Sequence, residues 1–270
     1  MTSDQTIAIV RPVPDSIGSC ELTHMDRAPI DLATARRQHE DYSRALANLG
    51  CEVITLPPLH AYPDSVFVED PAIVLDELAI IGRSGAESRR GEVDSVAEAL
   101  AAFRTCRHIE PPGCIDGGDV LQIGRRIFVG ISSRTNEAAR SQLRAMAEPL
   151  GYEVIPVPLV ECLHLKTAAS AISEEAILCN PQWVDPTAFM DTDTIEIDPA
   201  EPFSGNVVRV KSTLLADSAW AGTNRRLRES GFDVVETHLG ELSKAEGSVT
   251  CSSIVFSRQH QHYPACALPE

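Results

Sequence analysis

The chain repeats one supersecondary unit, and that repetition narrows the architectures open to it more than any other feature. A helical stretch rich in alanine and arginine ends at a glycine and runs into a short strand. It occurs as 33–50 followed by CEVITL, as 135–151 followed by YEVIPV, and as 223–231 followed by FDVVET. Glycine just past a helix accepts the left-handed conformation that closes it. The β-branched residues beyond it suit a buried strand. A fourth helix over 91–103 lacks the closing glycine but sets Val93, Val96, Leu100 and Phe103 on one face. Between these units lie paired apolar runs split by a short polar turn, at 66–83, 117–131 and 165–180, the pattern of a β-hairpin.

Corresponding points of the repeat fall near Asp70, Asp116, His164, Asn206 and Cys251, with separations of 46, 48, 42 and 45. A period in this range means stacked or radial copies of one unit, and 270 residues hold about five of them. The expected fold is therefore α/β, one domain over 1–270 built from strand–hairpin–helix modules. The strand TIAIV near the start and CSSIVF near the end are expected to complete a single shared module. Radial packing puts the loops of every module at one end of a central axis. There it brings together the acids near 64–70, Asp116, His164 and Cys251.

Composition excludes several classes. A formal charge of −16 repels phosphate backbones and anionic lipid, so neither nucleic acid nor membrane is an expected partner. Aromatic content of 5% is too low for a base-stacking surface. The first residues do not read as a signal peptide, and no run approaches the roughly 18 apolar residues of a membrane span. Eight cysteines without a Cys-x-x-Cys pair suggest a reduced, cytoplasmic protein, most of them acting as small buried hydrophobes. His260 and His262 form a His-x-His pair without a third ligand at suitable spacing, so no metal is expected. A phosphate-binding glycine loop with lysine and a Gly-x-Ser-x-Gly elbow are both missing from the sequence.

The convergent set has a definite chemistry. A thiolate is a strong nucleophile. A histidine beside it can protonate a departing amine and then activate water, and a carboxylate can hold that imidazole in orientation. Further carboxylates bind a planar cation such as guanidinium by forked hydrogen bonds. Singly, Cys251 or His164 reads as core, and Asp116, Glu69 and Asp70 as turn residues. Their shared spacing lifts them together. The implied reaction is attack on a guanidinium carbon, loss of an amine, and hydrolysis of the covalent intermediate, without a cofactor.

The segments DSVFVED (64–70), IDGGDVLQIGRRIFVGISSRTN (115–136), LHLKTAAS (163–170) and TCSSIVF (250–256) resemble those of the dimethylarginine dimethylaminohydrolases, within the guanidino-group-modifying superfamily. The resemblance implies a five-bladed α/β-propeller, or pentein, with pseudo-fivefold symmetry. It implies Cys251 as nucleophile, His164 as proton donor and general base, and Asp116 as the carboxylate partner of that histidine. Asp70, with Glu69 beside it, would face the guanidinium, and Asp64 the substrate α-amino group. Arg89 and Arg134 would bind the α-carboxylate, a task for which Arg90 is an alternative to Arg89. Leu22 and Ala245 would offer backbone carbonyls to the amino-acid end, and Phe67 would line the pocket. Leu22 also lies in 14–24, which resembles the family's mobile lid. Ala245 departs from the larger branched residue common at its position.

The expected activity is hydrolysis of Nω-methylated arginine to citrulline and methylamine or dimethylamine. A deiminase releasing ammonia from arginine is the nearest rival, and a non-catalytic propeller that binds a partner is the rival from another class. The expected partner is a guanidine amino acid, and a homodimer is left open. A thiolate beside a histidine could also capture zinc, as an inhibitor.

Overall fold

The computed structural model describes residues 5–258, so His260, His262 and Cys266 lie outside the described residues. Strand β1 (Thr6–Val10) leads through helix α1 (Leu32–Asn48) to β2 (Cys51–Thr55), which lies parallel to β1. The second module is β3 (Ala72–Val74), β4 (Leu78–Ile81), α2 (Val93–Ala101) and β5 (Thr105–His108). The third is β6 (Val120–Ile123), β7 (Arg126–Ile131), α3 (Glu137–Ala147) and β8 (Glu153–Pro158). A helical turn, α4 (Leu165–Ala168), opens the fourth, followed by β9 (Ala169–Ala171), β10 (Ala176–Cys179) and β11 (Asp193–Glu196). The fifth is β12 (Val208–Val210), β13 (Thr213–Asp217), α5 (Ala221–Glu229) and β14 (Asp233–Thr237). After the short α6 (Gly240–Ser243), β15 (Ile254–Ser257) returns to pair antiparallel with β1, so the two ends of the described chain share a module as expected.

Each module is one three-stranded sheet whose middle strand pairs antiparallel on one side and parallel on the other; in the second to fifth modules the antiparallel pair is a hairpin, and in the first it joins β15 to β1. The local chemistry matches the sequence signals. The three closing glycines, Gly50, Gly151 and Gly231, lie at φ of 90°, 85° and 91°, where a β-carbon is costly. Asp31 and Asn136 cap α1 and α3 by accepting the amide hydrogens of Thr34 and Ala139. The fourth module departs from the repeat: β10 and β11 are joined by a segment holding Pro181 and Pro186, with a single 3-10 turn in place of a helix.

The ring closes because strand residues alternate between two faces. From β1, Ile7 and Ile9 pack with Ala79, Ile81, Val96 and Leu100 of the second module. Ala8 and Val10 turn the other way, onto Val208, Val210 and Leu215 of the fifth. The same division joins the second module to the third, the third to the fourth and the fourth to the fifth. Five apolar clusters thus sit between five sheets, and each sheet is covered on both faces.

The cysteine expectation needs correction. Cys20, Cys51 and Cys179 are buried, but Cys106, Cys114, Cys162 and Cys251 are only half-buried, and all seven are free. Cys106, Cys162 and Cys251 pack at the edges of the apolar clusters, Cys251 also bordering a cleft, while Cys114 sits in a loop. Among the described residues, no helix is long and apolar enough to cross a membrane.

Phe128 on β7 is fully buried between the third and fourth modules, edge-on to Phe189 with ring centroids 5.2 Å apart. Phe128→Ala is expected to cost about 3–5 kcal/mol of unfolding free energy in urea titrations, with the transition still cooperative. A loss under about 1 kcal/mol would mean the modules do not share this interface as a single core.

Candidate active site

Five loops converge on one cleft. Its lining includes Asp64, Phe67 and Asp70 from the turns before β3, Arg89 from the 3-10 segment before α2, and Arg134 from the loop after β7. His164 reaches in immediately ahead of α4, and Ala245 and Cys251 come from the connection between α6 and β15. The expected nucleophile and the expected acid therefore face the same space. Cys251 lies in a turn rather than in the strand itself, and its carbonyl accepts the Glu69 amide hydrogen at 3.2 Å.

Behind the cleft, Asp70 is held on three sides. Arg89 Nη1 donates to Asp70 Oδ2 at 2.6 Å, the Gly118 amide donates to Oδ1 at 3.1 Å, and His164 Nδ1 lies 3.9 Å from Oδ1. The other ring nitrogen, Nε2, is 3.4 Å from Asp116 Oδ2, and Asp116 Oδ1 accepts the Gly85 amide hydrogen at 3.2 Å. Asp116 is fully buried and stands behind the ring as its expected partner. Gly118 permits this contact: a β-carbon there would lie 2.6 Å from His164 Nδ1 and 2.9 Å from Asp70 Oδ1.

These contacts set the charges. Burial disfavours the Asp70 carboxylate, yet Arg89 and His164 bring its pKa down to about 2. Burial also opposes the imidazolium of His164, but Asp70, the hydrogen bond to Asp116 and the charge of Asp119 outweigh it, raising the pKa to about 9. Burial, joined by the negative charges of Glu69 and Asp70, pushes the Cys251 thiol up to about 12. At neutral pH the resting site pairs a neutral thiol with a protonated histidine. Asp70, Asp116 and His164 could bring three ligand atoms within 4.8 Å of one another. Arg89 already compensates Asp70, and the imidazolium opposes a cation, so the trio is better suited to holding a proton.

One expected position differs from the sequence reading. Glu69 does not line the cleft. Its carboxylate accepts from Lys166 Nζ and Thr250 Oγ1, both at 2.8 Å, and faces a central cavity of about 490 Å³ on the other side. Leu22 packs its side chain on the apolar cluster between the fifth and first modules, and its neighbour Glu21 lines the cleft. Arg89 lies in the cleft lining, buried, and bonds Glu92 through Nε and Nη2 as well as Asp70. Arg90 pairs with Glu87 outside the cleft and does not substitute for it. Arg134 carries a buried Nη1 without a hydrogen-bond partner among the described residues, 3.8 Å from Asp116 Oδ2.

Sequence reasoning missed Glu92, Lys166 and Glu246. Lys166 sits within the matched segment LHLKTAAS, but an isolated lysine carries no signal of a buried partner 97 residues away. Glu92 opens the expected helix over 91–103, where an acid in the first turn needs no buried partner, and Glu246 lies in a polar stretch with no pattern of its own.

The chain matches the family model for eukaryotic N,N dimethylarginine dimethylhydrolase over residues 24–256. It is 38% identical over 249 residues to an N(G),N(G)-dimethylarginine dimethylaminohydrolase of Streptomyces coelicolor, covering 92% of this chain and 95% of that one. The enzyme of that name from Pseudomonas aeruginosa is 35% identical over 228 residues, covering 84% and 90%. A solved structure of the Pseudomonas aeruginosa protein, a cysteine-to-serine variant complexed with citrulline, superposes with a TM-score of 0.89 at 32% identity, covering 94% of this chain and 99% of that one. The N-terminal domain of a cyanobacterial arginine dihydrolase matches with a TM-score of 0.83 at 21% identity, a likeness of fold alone.

Gly118→Ala is expected to displace the His164 ring from Asp70. An NMR pH titration of His164 should then move its midpoint from about 9 toward the ordinary 6.5. An unchanged midpoint would mean that Asp70 is not what holds the proton there.

Proposed function

The chain belongs to the dimethylarginine dimethylaminohydrolase family, and we propose that it hydrolyses Nω-methylated arginines, asymmetric dimethylarginine and monomethylarginine, to citrulline and dimethylamine or methylamine. One observation carries the reading: Cys251 and His164 border the same cleft, whose walls also hold Asp64, Arg89 and Arg134. An arginine-like molecule has matching ends. Its guanidinium would lie against Asp70 and the sulfur, its ammonium against Asp64 and the Ala245 carbonyl, and its carboxylate against Arg134 and the remaining Nη1 hydrogen of Arg89.

The chemistry then follows from the resting charges. A bound guanidinium brings positive charge beside the thiol and makes its ionisation far less costly than in the empty site. The thiol proton, which the already protonated His164 cannot take, passes to solvent, and the sulfur attacks the guanidinium carbon, forming the C–S bond. The C–N bond breaks as the amine leaves with the proton that His164 already holds. His164, now neutral, takes a proton from water as the oxygen attacks the thiouronium carbon. The C–S bond breaks, the added oxygen gives up its remaining proton to the departing sulfur, and citrulline leaves with the thiol restored. Asp116 keeps the ring oriented through both steps. Every residue in this reading comes from one chain, so a homodimer is not needed for the chemistry. The free thiols suit a reducing compartment, and we take the cytoplasm as its place.

Cys251→Ser is expected to abolish turnover of asymmetric dimethylarginine while circular dichroism and Tm stay near the parent's; retained turnover excludes the nucleophile assignment. In paired assays of citrulline release, asymmetric dimethylarginine should be the faster substrate, and faster release from arginine would make the protein a deiminase. Because His164 must start protonated, kcat/KM should fall as pH rises through about 9. A descending limb near 6.5 would contradict the charges assigned to the site.

A further inference from the structure

The segment over 20–25 covers the cleft and is tied down at three points. The Glu21 amide donates to Asp64 Oδ2 at 3.0 Å, and Arg134 Nη2 donates to Thr23 Oγ1 at 3.1 Å. The third tie is denser. Three successive amides, those of Thr23, His24 and Met25, donate to the Glu246 carboxylate, at 2.9, 2.6 and 2.7 Å to Oε1, with Thr23 also 3.0 Å from Oε2. Consecutive amides aimed at one anion form a strong, charge-assisted cradle. Glu246 holds a backbone conformation unfavourable for its residue type, with φ of 56°, and its neighbour Gly247 packs so tightly that a β-carbon would meet the Phe67 ring at 2.1 Å. The turn carrying the carboxylate is thus rigidly mounted on the cleft wall.

With these ties made, the cleft holds about 20 Å³ of free volume, room for about one water and far too little for an amino acid of arginine's size. A second pocket of about 170 Å³ reaches Cys251 beside His24, Met25 and Glu246, so it is seating an amino-acid end against Asp64 and Arg134 that requires the covering segment to lift. Two of its ties use Asp64 and Arg134, which a substrate would itself engage under the proposed function. The Glu246 tie uses no such group.

We propose that Glu246 is the latch of this lid: its carboxylate, cradled by residues 23–25, sets how often the segment opens and so how fast ligand enters and leaves the Cys251 cleft. The assignment rests on the proposed function only for the identity of the ligand. Glu246 acts through the lid and is a positioning residue.

Amide exchange followed by NMR in the empty protein tests it. In Glu246→Gln, the amides of Thr23, His24 and Met25 should exchange at least tenfold faster. So should the amide of Glu21, which bonds Asp64 and does not touch Glu246. Faster exchange confined to 23–25, or none at all, overturns the latch. Glu241→Gln, at a carboxylate that accepts the Asp31 amide hydrogen and pairs with Lys244 away from the cleft, should leave all four amides unchanged. If Glu246→Gln loosens the modules as well, His24→Pro deletes the closest donor from the lid side. Tenfold faster exchange at Glu21 in that variant supports the latch, and parental exchange overturns it. Citrulline, as the probe ligand, should leave Glu246→Gln at least tenfold faster by line-shape analysis, and an unchanged rate overturns the gating role. Failure of the parent protein to bind citrulline would instead count against the proposed function, and the exchange arm would still decide the latch.

Discussion

The Asp70 carboxylate is the point on which the site turns. It is buried, charged, and shared between Arg89, the Gly118 amide and the His164 ring. A charge so placed survives only with such compensation. It is also what keeps a proton on His164 well above the ordinary histidine range while helping to hold the neighbouring thiol neutral. The resulting pair, imidazolium and thiol, has the proton already on the group that must give it to a departing amine. Carboxylates outnumber cations around the cleft, with Asp64, Asp70, Asp116 and Glu92 set against Arg89, Arg134 and the imidazolium. A guanidinium enters that field favourably and shifts the sulfur toward its reactive form.

The ring makes this charge cluster affordable. Asp70, Asp116, His164 and Cys251 occupy corresponding points in successive modules, with Asn206 at the fifth. Asn206 supports rather than reacts: it accepts the Thr250 amide hydrogen and donates to the Lys166 carbonyl, both within hydrogen-bond distance, fixing the segment that precedes Cys251. Apolar clusters between every pair of neighbouring sheets hold the five loops rigidly enough for groups from distant parts of the chain to keep contacts of 3–4 Å.

Much of this was legible beforehand, for physical reasons. The helix-closing glycines, the hairpin turns and the shared first-and-last module follow from local conformational preferences that a sequence displays directly. The convergence of Cys251, His164 and Asp116 follows from the period. What stayed hidden depends on pairing across the axis. Glu69 and Asp70 are adjacent in sequence, yet Lys166 draws one out to the central cavity while Arg89 keeps the other at the cleft. Arg89 and Arg90 read alike in ESRRGE, and only the reach of Asp70 and Glu92 separates a buried clamp from a surface charge. The helix missing from the fourth module could have been read from Pro181 and Pro186, which interrupt the stretch where the repeat places one.

The empty site keeps Cys251 as a thiol and relies on a cationic substrate to ionise it. Thiolate absorbance near 240 nm, taken as the difference between the parent and Cys251→Ser across a pH titration of the ligand-free protein, measures this directly. No Cys251 thiolate signal is expected between about pH 6 and pH 10. A thiolate already titrating in below about pH 8 would contradict it.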